Sequence, residues 1–254
     1  MTQARQRRAL ITGGTGGVGA AVAQDLAGAG FHVVITDMDA QACDTLAKEI
    51  SQAGGSAEGA ALDVTDRAAV EALFARQDDK GGIDTLVTSA AIVKAAPILD
   101  FDPEDWNRIL DVNLTGTFHC CQAAGRRMAE AGFGRIITIS SVNGQIANSF
   151  RGAYSCTKGG VDMLTRLLAA ELGAKGVTAN AVAPTPVDTP MILKVHGAQD
   201  RKRWTDQIPA ARYAQPQEVA AAVTFLASED AAYINGHILN IDGGFMASGI
   251  LLDR

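Results

Sequence analysis

Short apolar, β-branched runs recur along this chain, and stretches with helical spacing separate them. Ala9-Leu10-Ile11-Thr12 is the first run, and Ala20 to Ala29 follows with Val22, Leu26 and Ala29 on one stripe, the mark of a helix. Val33-Val34-Ile35-Thr36 is the second strand; it ends in Asp37, and another helix begins near Ala40. Arg135 to Ile139, Val177 to Val182 and His237 to Ile241 read as the fifth, sixth and seventh strands. Such alternation predicts the α/β class, a doubly wound, seven-stranded parallel sheet with helices on both faces. A ligand then sits at the carboxyl ends of the strands, near the point where the winding reverses.

The first strand runs straight into Gly13-Gly14-Thr15-Gly16-Gly17-Val18-Gly19. Glycines let a backbone turn sharply and approach a ligand, and a helix N-terminus offers unpaired N–H groups to an anion. Strand, glycine turn and helix in that order form a phosphate cradle, with Thr12, Gly13, Gly17 and Gly19 spaced as Thr-Gly-x-x-x-Gly-x-Gly. Asp37, at the end of the second strand, can accept hydrogen bonds from a ribose and would repel a 2′-phosphate. With Met38 beside it and no Lys or Arg in the glycine loop, the pattern favours NAD(H) over NADP(H). Asp37 can equally cap the helix that starts near Ala40.

Downstream, Ala-Tyr-Ser-Cys-Thr-Lys-Gly sets Tyr154 and Lys158 four residues apart, with Ser141 and Asn113 upstream. Residues i and i+4 share a helix face. A lysine ammonium there can draw a phenol of pKa about 10 towards phenolate and so towards useful acid–base work. A tyrosine and lysine at this spacing are usually plain surface neighbours; the glycine loop upstream gives this pair its meaning.

Together these motifs resemble the short-chain dehydrogenase/reductase family in its form with one domain of Rossmann type, here spanning 1–254. The resemblance implies a catalytic set of Asn113, Ser141, Tyr154 and Lys158, with Tyr154 as general acid or base. Lys158 would lower its pKa and bond the nicotinamide ribose. Asn113 would interrupt its helix and hold a water that links Lys158 to solvent. The cofactor would meet Gly13, Thr15, Gly16, Gly17, Val18, Gly19, Asp37, Met38, Asp63, Val64, Ser89, Ala90, Ala91, Tyr154, Lys158, Pro184, Val187 and Thr189. Asp63-Val64 stands at the family's third-strand position, and Asn240-Ile-Asp-Gly-Gly244 matches its closing strand and turn.

Two positions depart from the family pattern. Thr88-Ser89-Ala90-Ala91 replaces Asn-Asn-Ala-Gly after the fourth strand, and Pro184-Thr185 replaces Pro-Gly. A positive φ at Ala91 would cost about 1 kcal/mol, so the backbone there is expected in an ordinary region, with Thr88 still hydrogen-bonding. Thr185 alters the substrate pocket. The substrate lid is expected at about 187–213, with Met191, Ile192 and Leu193 as apolar cover. Lys94, Ser141, Asn143, Gln145 and Thr185 would supply hydrogen bonds near the mouth. Family members with Pro-Thr include sugar and polyol dehydrogenases, which points to a polar hydroxy or keto substrate. The alternatives are 3-oxoacyl-thioester reduction, against which Glu130-Ala131-Gly132 and Asp37 both count, and an NAD(H)-binding sensor without turnover.

Composition narrows the picture. With 254 residues, 47% of them hydrophobic, the chain can build one large core, and no linker divides it. The net charge of −6 counts against nucleic-acid binding. No leader or membrane-length apolar run stands out, so a cytoplasmic protein is expected. Cys43, Cys120, Cys121 and Cys156 lack metal-ligand spacing, and His32, His119, His196 and His237 form no cluster; no metal is expected, and packing explains the cysteines. Arg201-Lys202-Arg203 is expected on a solvated helix face. Relatives in the family imply a homotetramer, and the apolar stripes from Phe118 to Met128 and from Val161 to Leu172 suit an interface or a core. The apolar tail from Gly249 to Arg254 would need a partner surface.

Overall fold

Seven strands, β1 (Arg8–Thr12), β2 (His32–Asp37), β3 (Ser56–Ala61), β4 (Thr85–Thr88), β5 (Gly134–Ile139), β6 (Val177–Pro184) and β7 (Ile238–Ile241), form one parallel sheet. Their order is β3-β2-β1-β4-β5-β6-β7, so the winding reverses between β1 and β4. The computed structural model describes residues 6–249; the tail beyond, from Ile250 to Arg254, lies outside the described residues. Around the sheet lie α1 (Gly17–Gly28), α2 (Ala40–Gln52), α3 (Arg67–Asp78), α4 (Pro103–Leu110), α5 (Gly116–Ala131) and α6 (Gly152–Leu172). Helices α7 (Pro190–Val195), α8 (Ala198–Gln207) and α9 (Pro216–Ala227) complete the set.

Alternate residues of each strand point to opposite faces, and the core divides accordingly. Ala9, Ile11, Val33, Ile35, Val87 and Ile137 join Val22, Leu26, Leu46, Val219 and Val223 of α1, α2 and α9. Leu10, Val34, Leu86 and Ile136 pack with Val70, Phe74, Cys120, Cys121 and Met128 of α3 and α5 on the other side. Both faces are dry, which is why these strands read as unbroken apolar runs.

Several boundaries differ from expectation for local reasons. Helix α1 starts at Gly17, three residues before Ala20, because the last glycines of the loop already wind into its first turn; Ala29 is its exposed C-cap. The cap of α2 is Asp39, whose side chain accepts from the Ala42 N–H at 3.0 Å, which leaves Asp37 free of that task. Strand β3 carries Ser-Ala-Glu-Gly-Ala-Ala and has no apolar run to betray it. It sits at the sheet edge, where α2 packs closely: a Cβ on Gly59 would lie 2.7 Å from the Asp44 nitrogen. Asp63 and Val64 therefore stand just beyond this strand, at its carboxyl end.

The region expected as a lid contains α7 and α8. A parallel bridge between Val187 and Ala214 closes its base. Arg201 is also held there: its guanidinium, still partly exposed, pairs with Asp188 at 2.6 and 2.7 Å and stacks 4.4 Å from the Tyr213 ring centroid. Lys202 and Arg203 do stay on the exposed face, with Asp206 and Asp200 as neighbours. No described helix is long and apolar enough to cross a membrane.

Candidate active site

A cleft of about 470 Å³ opens over the carboxyl ends of the strands, where β1 and β4 diverge. One wall is the glycine loop. Gly13 adopts φ +62°, and a Cβ there would lie 2.6 Å from the Ala90 nitrogen. At Gly19 a Cβ would come 2.2 Å from the Gly13 carbonyl oxygen, so only hydrogen fits. This close backbone packing sets the N-terminus of α1 directly under the cleft, with no acidic side chain in its first turn. A diphosphate would find unpaired N–H groups and the positive end of the helix dipole there.

Asp37 stands at the far end of the cleft. Its Oδ2 accepts from the Thr15 N–H at 3.2 Å and the Thr15 hydroxyl at 2.5 Å, while Oδ1 accepts from the Met38 N–H at 2.8 Å. Asp63 accepts from the Thr65 hydroxyl and N–H at 2.7 and 2.9 Å, which holds its carboxyl below the usual range. Carboxylate at one end, helix N-terminus in the middle and side-chain acid–base groups at the other fit an adenine dinucleotide. Every residue expected to meet the cofactor, from Gly13 and Thr15 through Ser89, Ala90 and Ala91 to Pro184, Val187 and Thr189, lines this cleft.

Opposite the glycine loop, the end of β5 presents Ser141 and the first turns of α6 present Tyr154 and Lys158. Burial pushes the Tyr154 phenol above its ordinary pKa; a hydrogen bond with Ser141 and the nearby Arg151 cation pull it back. Lys158 is not among the groups that lower it, contrary to expectation. Its Nζ lies 5.6 Å from the Tyr154 ring centroid, facing the ring, and donates to the Ile139 carbonyl at 2.7 Å. Burial brings Lys158 down to about 8, opposed by Asp162 one turn further along α6. Asp162 is itself buried, raised by burial and hydrogen-bonded to Ser140.

Asn113 lies beneath the cleft and is not part of its wall. A π-helical turn, Asp111–Thr115, separates α4 from α5, so the helical ladder is interrupted there as anticipated. The amide is occupied, however. Oδ1 accepts from the Ile92 N–H at 2.8 Å, and Nδ2 donates to the Ile92 carbonyl at 2.9 Å and the Thr157 hydroxyl at 3.3 Å. In this arrangement Asn113 ties the loop after β4 to α6.

Of the residues expected to meet substrate, Ser141, Asn143, Thr185 and Met191 reach the cleft, while Lys94 and Gln145 do not. Lys94 is exposed and paired with Asp105 on the outer surface, and the Gln145 amide donates to Asn240 at 2.6 Å. Both expectations rested on nearness in sequence to the strand ends, which says nothing of side-chain direction. Ala91 has no positive φ, so the substitution for glycine leaves an ordinary backbone. Thr88, expected to hydrogen-bond, has a buried hydroxyl with no partner among the described residues. Thr12 takes over instead: its hydroxyl accepts from the Ser89 and Ala90 N–H groups at 3.2 and 3.4 Å.

The sequence offered no sign of Arg151, His196 and Trp204 as cleft residues, yet all three line it. His196 arrives on the lid, far along the chain from the core it meets. Cys43, Cys120 and Cys121 are buried as expected for packing; Cys156 is exposed instead. Among the described residues no group of three His, Cys, Asp or Glu side chains could hold a metal ion.

Comparison with known proteins agrees with this geometry. Residues 13–246 match the family whose model is described as enoyl-(acyl carrier protein) reductase. D-threitol dehydrogenase of Mycolicibacterium smegmatis is 40% identical over 93% of this chain and 92% of its own length. A 3-oxoacyl-[acyl-carrier-protein] reductase of Synechocystis is 39% identical over 97% and 99%. The crystal structure of a gluconate 5-dehydrogenase from Burkholderia cenocepacia, in complex with NADP and tartrate, shares 37% identity and superposes with a TM-score of 0.92 over 96% of each chain. The chain belongs to the short-chain dehydrogenase/reductase family. It is an NAD(P)-dependent oxidoreductase that interconverts an alcohol and a carbonyl compound.

Proposed function

We propose that this enzyme oxidises a secondary alcohol to a ketone, and reduces the ketone, with Tyr154 as general acid and base, NAD(H) as preferred cofactor and a polar, hydroxylated substrate. The observation that carries the reading is the meeting of Ser141, Tyr154 and Lys158 on the cleft wall facing the glycine loop. A nicotinamide cofactor, when bound, supplies the hydride exchange with the carbonyl carbon. Tyr154 gives its proton to the carbonyl oxygen during reduction and takes it back during oxidation. Ser141 donates to the same oxygen and steadies the charge that builds there. Lys158 presents its ammonium beside the Tyr154 ring, where it can hold a ribose hydroxyl of the bound cofactor. Asn113 keeps the floor of the site in register through Ile92 and Thr157.

The cofactor preference rests on Asp37, the carboxylate at the adenosine end. It is placed to accept from ribose hydroxyls and to repel a 2′-phosphate. NADH should therefore support turnover at least tenfold better than NADPH, and Asp37→Ser should narrow the gap to a few-fold. Equal use of both cofactors by the wild type would remove this preference. The relatives named for threitol and gluconate support a polyhydroxylated substrate; the relative named for 3-oxoacyl carriers supports the alternative, thioester reduction. A panel of sugars, polyols, ketones and acyl-thioesters, followed by nicotinamide absorbance, separates the two. Intact NADH binding with no turnover across that panel would favour a sensor.

The subunits are proposed to form a homotetramer through α5 and α6. Phe118, Met163 and Leu167 there are 41%, 53% and 51% exposed, more apolar surface than a lone subunit needs to show. Light scattering should give about four times the 26.4 kDa chain mass; a monomer would overturn this assembly.

A further inference from the structure

The two ends of the cleft differ in charge. Among the described residues its lining carboxylates, Asp37 and Asp63, stand at the adenosine end with Arg108 near Asp63, whereas the end that holds Ser141 and Tyr154 carries Lys158 and Arg151 and no carboxylate. Arg151 immediately precedes α6. Phe150 before it takes φ +64°, a left-handed conformation that a bulky residue seldom adopts and that often marks a functional position. That turn is tied down by the Ala96 N–H, which donates to the Phe150 carbonyl at 3.3 Å, and by the bridge between Ala96 and Arg151. A strained, anchored turn thus delivers one guanidinium to the catalytic end of the cleft.

That guanidinium has no carboxylate partner among the described residues. Its single side-chain hydrogen bond runs from Nη2 to His196 Nε2 at 3.1 Å. With Nε2 accepting, Nδ1 carries the ring proton and donates to the Tyr213 hydroxyl at 2.9 Å. Burial, the adjacent Arg151 and, more weakly, Arg201 hold the imidazole below its ordinary pKa against an opposing pull from Asp200, so the ring itself brings Arg151 no negative charge. Every other arginine with a bidentate or close partner in the lid region has a carboxylate: Arg201 has Asp188 and Arg212 has Glu218. Met191, Ile192, Val195 and Trp204 give this end an apolar lining. A half-buried positive charge without a counterion is costly, and an anionic ligand relieves that cost.

We propose that Arg151, steadied by His196, binds the carboxylate of an anionic substrate, so that the enzyme acts on a hydroxycarboxylate or its oxo acid and discriminates against the uncharged alcohol. This rests on the dehydrogenase reading above and narrows its substrate class. Arginine presents paired N–H donors that match a carboxylate, and one N–H, on Nη2, is already engaged from the lid side by His196. Such a ligand would also sit against the lid, since Arg151 directly precedes α6 and His196 ends α7.

Two matched pairs test it in complex with NADH, where no turnover of an alcohol occurs: gluconate against D-glucitol, and 4-hydroxycyclohexanecarboxylate against its carboxamide. Calorimetric titration should show at least tenfold tighter binding of the carboxylate in one or both pairs, the scale of a charge-assisted hydrogen bond. Arg151→Gln should collapse that ratio to within about twofold, and Arg151→Lys should restore part of it. A merely structural latch would weaken both members of a pair alike and leave the ratio intact. No carboxylate preference in either pair, or a preference that survives Arg151→Gln, overturns the proposal. Turnover of any alcohol by the wild type leaves the dehydrogenase reading standing in that event, so the two fail separately.

Discussion

Tyr154→Phe should lower turnover by at least about 10²-fold in both directions while NADH affinity stays nearly unchanged. The substitution removes one hydroxyl from a ring that otherwise keeps its place on α6. A positioned general acid or base contributes roughly 10²- to 10⁴-fold, and Ser141, which hydrogen-bonds the phenol, is an alcohol and so a much weaker acid. Burial holds the phenol protonated in the free protein, which suits the donor role in reduction. The cofactor cradle lies on the opposite wall, in the glycine loop, and does not depend on the phenol. Steady-state rates with NADH binding by fluorescence titration read both quantities. A variant that keeps a tenth of the wild-type rate would show that proton transfer runs through another group.

Gly19→Ala should weaken NADH binding by about 100-fold or more and lower thermal stability. The added methyl carbon would sit 2.2 Å from the Gly13 carbonyl oxygen and 2.9 Å from the Gly14 Cα, both backbone atoms that cannot swing aside as a side chain can. Forcing an extra carbon into packed structure typically costs about 1–3 kcal/mol in stability. Binding suffers more, because the loop must open where its N–H groups converge on the diphosphate and an ångström of displacement removes their alignment. Melting temperature with and without NADH separates the two effects: the bare protein should melt lower, and the cofactor should no longer raise it. A normal NADH-induced rise in Gly19→Ala would show that the loop does not cradle the cofactor.

The strand and helix pattern was legible because each element buries a face, and burial writes a period into the chain. Runs such as Val33 to Thr36 are dry on both sides and so read as strands without context. Strand β3 was illegible for the converse reason: it lies at the edge, and closeness to α2 demands small residues rather than apolar ones. The glycine loop and the Tyr154–Lys158 pair were legible because each is local, with its function set by spacing along a single turn or helix.

Whatever depends on residues distant in sequence was not. Lys94 and Gln145 have the right chemistry near the right strand ends, yet their side chains turn to Asp105 and Asn240. His196 looked isolated and proves to sit on Arg151, forty-five residues earlier, because the lid folds back over α6. Lys158 shares a helix face with Tyr154, but its ammonium bonds the Ile139 carbonyl, so the expected pull on the phenol comes from Ser141 and Arg151 instead. Sequence alone determined the sheet, the cradle and the acid–base pair, since periodicity and short-range spacing are properties of the chain itself. The charge and shape of the substrate end were decided only in three dimensions, where packing chooses which side chain faces the cleft and which finds another partner.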